Sequence, residues 1–208
     1  MQIEQVAGAY CGDPSAQAIQ LRMRSAGQHL VSGTSLVAYD AAGANPVTLL
    51  TFPANAPSGS SGARILVATA AFTANAGAPP ADFVLTTPIP ASYLAAGRVA
   101  FQFGGSAYWS LAWGGPAYTG ANLGTFDNDA DGDFNPPFGL PMPEYGAEAI
   151  VFPGASNAMS TNNAADYLIS PDPATWGNNA GTLAAADGCL FDDGFDTGNA
   201  GRWSSVQK

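Results

Sequence analysis

The run Ala18-Ile19-Gln20-Leu21-Arg22-Met23-Arg24 alternates strictly, with Ile19, Leu21 and Met23 on one side and Gln20, Arg22 and Arg24 on the other. A period of two suits an extended strand, whose successive side chains point to opposite faces. On a helix the same apolar residues would be scattered around the surface. The spacing therefore predicts a half-buried strand, with a polar face turned to solvent. Shorter runs of similar character recur at 2–6, 35–39, 47–52, 65–70, 99–103, 108–113 and 149–152, each bounded by Gly, Pro, Asn or Ser. Many short strands at regular spacing predict an all-β chain folded as a β-sandwich. Pro57-Ser58-Gly59-Ser60-Ser61-Gly62 reads as an exposed loop between two strands, and Gly104-Gly105 as a hairpin turn between Phe103 and Tyr108. Helix is expected only at 91–96, behind Pro90 and stopped by Gly97.

Three compositions follow one another along the chain. Residues 1–124 hold most of the alternating runs and read as the sandwich. Residues 125–186, with several Pro and the pairs Asn162-Asn163 and Asn178-Asn179, read as a loop-rich extension packed on it. Residues 187–208 form an acidic and aromatic tail.

Charge is scarce and uneven. Only 11% of the 208 residues are charged, against about 25% in an average soluble domain. Four acids and four bases cancel over 1–98, whereas 99–201 carry twelve acids and no Lys, Arg or His, leaving a net charge of −10. Nucleic acid is excluded as a partner, because phosphate backbones are held by clustered Lys and Arg. Cations are the more natural ligands. Nowhere do about 18 apolar residues follow one another, so no transmembrane segment is expected. A mature-looking start, one Lys and two distant Cys suggest an extracellular or cell-surface protein whose signal segment has been removed. Cys11 and Cys189 either form a disulfide, which in the loop-entropy picture contributes about 4–5 kcal/mol, or stay as two buried thiols.

The sharpest local signal is Asp127-Asn128-Asp129-Ala130-Asp131-Gly132-Asp133, the acidic loop 127–133. Alternating carboxylates with Gly in sixth place let a short loop wrap oxygens around calcium. The second half of that pattern fails, with Phe138 in twelfth place and Pro136-Pro137 barring an exiting helix. Calcium held by Asp127, Asp129, Asp131 and the carbonyl of Asp133, completed by Glu144 or Glu148, stands against a solvated acidic turn. Asp192, Asp193 and Asp196 form a weaker cation cluster. A sugar-stacking platform would use Tyr108, Tyr118 and Trp176; the competing reading makes Trp109 and Trp113 core residues and the tyrosines their rim. Hydrolytic chemistry finds little support. Glu144 with Glu148, or Glu4 with Asp13, are the carboxylate pairs a glycosidase could use. His29 has no GxSxG serine to serve.

An opening strand, the "xIxLx" strand at 18–22, Ser32-Gly33-Thr34-Ser35-Leu36, Thr51-Phe52-Pro53 and Ile65-Leu66-Val67 together resemble the lamin-tail-type immunoglobulin-like domains of secreted bacterial proteins. Gln20 stands where that family has Glu, and Thr34 where it has Trp. Closer similarity is to a set of secreted bacterial proteins carrying "AQAIQLRMRSAGQ", "DAAGANPV", "IPASYLAAG" and "WGGPAYTG", over about residues 2–180. The stretch 191–203 is similar to the "DGFESGD…W" ending of many such proteins, and to the first strand of jelly-roll carbohydrate-binding modules. The resemblance implies an immunoglobulin-like sandwich and secretion, and implies no reaction.

The expectation is thus a non-catalytic extracellular structural or surface-interaction protein, calcium-stabilised and self-assembling. Assembly would proceed by strand addition of residues 2–6 at a neighbour's sheet edge. The alternative is a module that binds extracellular polysaccharide, followed by a glycoside hydrolase.

Overall fold

The computed structural model describes residues 1–121, 135–157, 163–186 and 189. The strands are β1 (Gln2–Ala7), β2 (Ala18–Arg22), β3 (Ser35–Tyr39), β4 (Val47–Thr51), β5 (Arg64–Ala68), β6 (Phe83–Val84), β7 (Gly97–Phe103), β8 (Ser106–Trp113), β9 (Ile150–Val151), β10 (Leu168–Ile169), β11 (Thr175–Gly177) and β12 (Leu183–Ala185). Two one-turn helices, α1 (Ala70–Thr73) and α2 (Asn163–Asp166), complete the regular structure with two short 3-10 turns. The chain is all-β and sandwich-like. One sheet runs β10-β9-β1-β2-β5-β6, the other β4-β3-β7-β8, and β11 pairs with β12 as a separate hairpin.

Each of the eight expected strands is present. The four that the alternation does not reveal, β6 and β10 to β12, have two or three residues each, too few to display a period. The expected helix at 91–96 is one 3-10 turn, Ala91–Tyr93. α1 escapes the helix signals because its only polar start is Thr69, whose side chain accepts from the N–H of Phe72. Phe103 and Ser106 are joined by Gly104 and Gly105 at φ +56° and +84°, a two-residue turn that a side chain would strain.

Between the two sheets lies the main core. Ile19, Leu21 and Met23 meet Leu36, Val99, Trp109, Leu111 and Trp113, all fully buried. The apolar face of the 18–24 strand therefore points where its alternation places it. Its polar face is more covered than the half-buried reading implies: Gln20 is 2% exposed, while Arg22 and Arg24 stay partly exposed. The cause lies in residues 135–186. β9 and β10 extend the first sheet beyond β1, and β11 covers its outer face. Phe138, Met142, Ile150, Phe152 and Tyr167 join the main core itself. The described part of the expected extension thus shares its sheet and core with the sandwich.

β1 is central, pairing with β2 on one side and β9 on the other, and all six of its residues are buried. The expectation that residues 2–6 add to a neighbour's sheet is overturned, since donating β1 would take it out of its own. Other edges are covered too. Along β8 the Asn163 side chain accepts from the N–H of Ala112 at 2.9 Å and donates to the carbonyl of Ser110 at 3.3 Å, as a further strand would. Along β4 the carbonyl of Leu49 accepts from Thr86 Oγ1 at 2.8 Å and the N–H of Thr87 at 3.1 Å. Such plugs suppress edge-to-edge pairing.

Candidate functional site

The register of β1 with β2 slips between Ile3 and Gln5, making Glu4 the extra residue of a bulge. Ile3 and Val6 remain in the inner core, so Glu4 and Gln5 both turn outward. The backbone groups freed there are taken up locally: the carbonyl of Ile3 accepts from Tyr167 Oη at 2.6 Å, and that of Glu4 from the N–H of Phe152 at 2.7 Å. Tyr167 also accepts from Trp109 Nε1 at 2.6 Å, and burial pushes its phenol well above the ordinary range.

The bulge aims the Glu4 carboxylate at two arginines. Oε2 accepts from Gln20 Nε2 at 2.6 Å and Arg64 Nε at 2.7 Å; Oε1 accepts from Arg64 Nη2 at 2.9 Å and lies 2.8 Å from Arg22 Nη1. Arg22 also donates to the carbonyl of Gly154, and burial lowers its pKa more than Glu4 raises it. Gln20 Oε1 accepts from the N–H of Gly177 and Gln5 Nε2 donates to the carbonyl of Thr175, which fastens β11 over the cluster. Removing one member of a buried ion pair leaves the others uncompensated. Glu4→Gln is accordingly expected to lower the unfolding free energy by about 3 kcal/mol, measured by urea denaturation.

Beyond β11 the Asn178–Asn179 turn clamps the loop before β5. Asn179 Nδ2 donates to the carbonyls of Ser58 and Arg64, and its Oδ1 accepts from the N–H of Ser58. Asp82 Oδ2 accepts from the N–H groups of Leu66 and Asn179, both at 2.8 Å. Burial pushes the Asp82 carboxyl up, with these bonds opposing it. A carboxyl whose pKa rises on folding stabilises the fold fully below its unfolded pKa and loses that contribution as pH rises through the folded value. Since one amide oxygen can accept both bonds, Asp82→Asn is expected to leave neutral-pH stability equal or higher. It should also flatten the fall in stability above the ordinary Asp range, measured by denaturant titration across mildly acidic pH.

The three aromatics of the expected platform are not brought together. Trp176 is fully buried on the outer face of the first sheet and Tyr118 is 4% exposed in a small separate cluster beside Ala96 and Ala112. Tyr108 is half-buried against the main core, with its ring centroid 6.2 Å from that of Phe101. As a shared stacking surface the trio is overturned, because two of its rings serve packing. Tyr108 instead lines an open cleft of about 520 Å³ with Met1, Leu30, Thr34, Phe101 and Phe103. Leu30 and Phe103, 65% and 54% exposed, were not singled out in the sequence, where neither stands out from other apolar residues next to turns.

Asp127, Asp129, Asp131 and Asp133 lie outside the described residues, as do Asp192, Asp193 and Asp196. Among the described residues no group of three or more His, Cys, Asp or Glu is placed to hold a metal ion. Cys11 and Cys189 form a disulfide, their Cα atoms 5.1 Å apart. Of the carboxylate pairs, Glu4 is engaged by Arg22 and Arg64 whereas Asp13 caps an exposed turn by accepting from Ser15. His29 Nδ1 is buried without a hydrogen-bond partner among the described residues. The remaining arginines of the first half stack on rings, Arg98 at 4.0 Å from Tyr39 and Arg24 at 5.4 Å from Trp109. No helix is long and apolar enough to cross a membrane among the described residues. Comparison with protein-family models, with curated proteins and with solved structures finds no match to this chain.

Proposed function

We propose that this chain is a non-catalytic extracellular protein that acts through surface interaction, with the cleft between residues 28–34 and the β7–β8 hairpin as its contact surface. The observation that carries this reading is the pairing of Leu30 and Phe103, the two large apolar side chains most exposed there, across one cleft. Exposed apolar surface concentrated at one place marks an interaction site, whereas single scattered residues do not. The extracellular setting draws on the Cys11–Cys189 disulfide, since such bonds persist in oxidising compartments. Calcium at Asp127, Asp129, Asp131 and Asp133 belongs to the same proposal on the sequence alone; a thermal midpoint that rises with added calcium and falls back with chelator is the expected result.

A second reading, polysaccharide binding, is favoured by the lining itself. Phe101, Phe103 and Tyr108 stand beside Gln28, Ser32 and Thr34, with no charged side chain among the lining residues. Rings and uncharged polar groups suit a neutral sugar chain. One experiment tests both readings: the wild type and a Leu30→Ser, Phe103→Ser variant are compared for sedimentation and for retention on insoluble neutral polysaccharides. Self-association or retention lost in the variant supports the cleft as the surface. Identical behaviour of the two proteins in both assays overturns it.

A further inference from the structure

Two guanidinium groups share one carboxylate beneath β11. Glu4 is saturated by Arg22, Arg64 and Gln20, so the cluster holds two positive charges against one negative. Buried charges are normally paired, and an excess cation needs an anion or water. Arg22 spends its remaining donors inward, on Gly154 and on the Gln2 side chain. Arg64 does not. Its Nε and Nη2 go to Glu4, its Nη1 makes no hydrogen bond among the described residues, and its side chain is 30% exposed.

Arg64 lines a cleft of about 270 Å³ between the 57–62 loop and the Asn178–Gly181 turn, with Ser58, Ala180 and Leu183 around it. The arginine is held in place there. A Cβ at Gly177 would lie 2.7 Å from Arg64 Cδ, so the glycine admits the stem directly under β11. Asn179, locked to Ser58 and to the Arg64 carbonyl, fixes the opposite wall. Asp82, the other carboxylate tied to this turn, spends Oδ2 on the N–H groups of Leu66 and Asn179.

We propose that this cleft is an oxyanion-binding site in which Arg64 Nη1, beside Ser58 and Ala180, takes a carboxylate or sulfate group of an extracellular ligand. The site is separate from the Leu30–Phe103 cleft and does not depend on the reading given to it. A fixed guanidinium with a free outward donor is suited to such a group, since charge-assisted bonds to carboxylate and sulfate oxygens are the strong ones. In a chain of net charge −10, this is a local excess of positive charge.

The test is amide-resolved NMR titration of the full chain with sodium glucuronate, with inorganic sulfate and with glucose as the uncharged control. Saturable shifts at Ser58, Ala180 and Gly181 are expected with glucuronate, sulfate or both, and none with glucose; which anion acts tells a carboxylate ligand from a sulfate one. Two variants accompany it. Arg64→Lys keeps the charge and loses the fork, and Leu183→Glu adds a carboxylate at the cleft from a residue 60% exposed, so the fold tolerates it even if the arginine variant unfolds. Each is expected to weaken the response roughly tenfold or more. Absence of saturation with both anions, equal shifts with glucose, or an anion response unchanged in Leu183→Glu overturns the proposal.

Discussion

Changing Cys11 and Cys189 together to Ser is expected to lower the unfolding free energy by about 5 kcal/mol, the loop-entropy value for a closed loop of this size. The bond joins residues 178 apart in sequence, so in its absence the unfolded chain regains nearly all its freedom. Domains of this kind are stable by only about 5–15 kcal/mol, and the loss is a large share of that. Locally the bond ties the stretch after β12 to the turn after β1. Cys11 sits there at φ +56° with its N–H donating to the carbonyl of Gly146 at 2.9 Å, and the neighbouring Tyr10 hydroxyl donates to the carbonyl of Ala186. Urea unfolding of the double variant, and of the wild type held in reductant, should give the same lowered midpoint. A difference under about 1 kcal/mol from the oxidised wild type would mean that the loop constraint contributes little.

Trp176→Ala is expected to cost about 4 kcal/mol, in the range of large buried aromatics cut back to Ala. The ring is the largest member of a buried cluster otherwise made mostly of small residues, among them Ala7, Ala18, Ala68, Ala149, Ala174 and Ala186, with Phe72 edge-on at 5.1 Å. None of these neighbours can grow into the space the indole vacates. With β11 loosened, the Gln20 and Gln5 bonds to it weaken and the charged cluster beneath gains water. Trp176 Nε1 has no hydrogen-bond partner among the described residues, so Trp176→Phe should cost much less, because it keeps a ring and removes a buried donor left unmade. Thermal and urea unfolding of the two variants check the order. Equal losses would show that ring burial is not what holds β11 down.

The inner half of the fold was legible because alternation reports directly on burial against a second sheet. Ile19, Leu21 and Met23 face the core, and the 35–39 strand has the ends its pattern predicts. The outer half was not. Gln20 and Arg22 look like a solvated face in one dimension, and only a segment more than a hundred residues later in the chain covers them. The place of many alanines was equally hidden, since only the fold gathers them into one buried cluster with Trp176. Of the candidate site residues, the paired cysteines fit the structure. The aromatic platform failed because exposure depends on what packs over a ring, and spacing along the chain does not record that.

By itself, the sequence determined that this chain makes short strands, that they stack as sheets around one apolar face, and that its carboxylates gather in the second half. Those properties are local, set by side-chain period, turn chemistry and charge. Tertiary structure alone decided that the polar face of the first sheet is largely covered, that Glu4 sits on a bulge between two arginines, and that Arg64 binds Glu4 while its side chain stays 30% exposed. These follow from long-range packing. A buried charge is tolerable only where distant segments supply its partners, and the identity of those segments is fixed by which surfaces fit together in three dimensions.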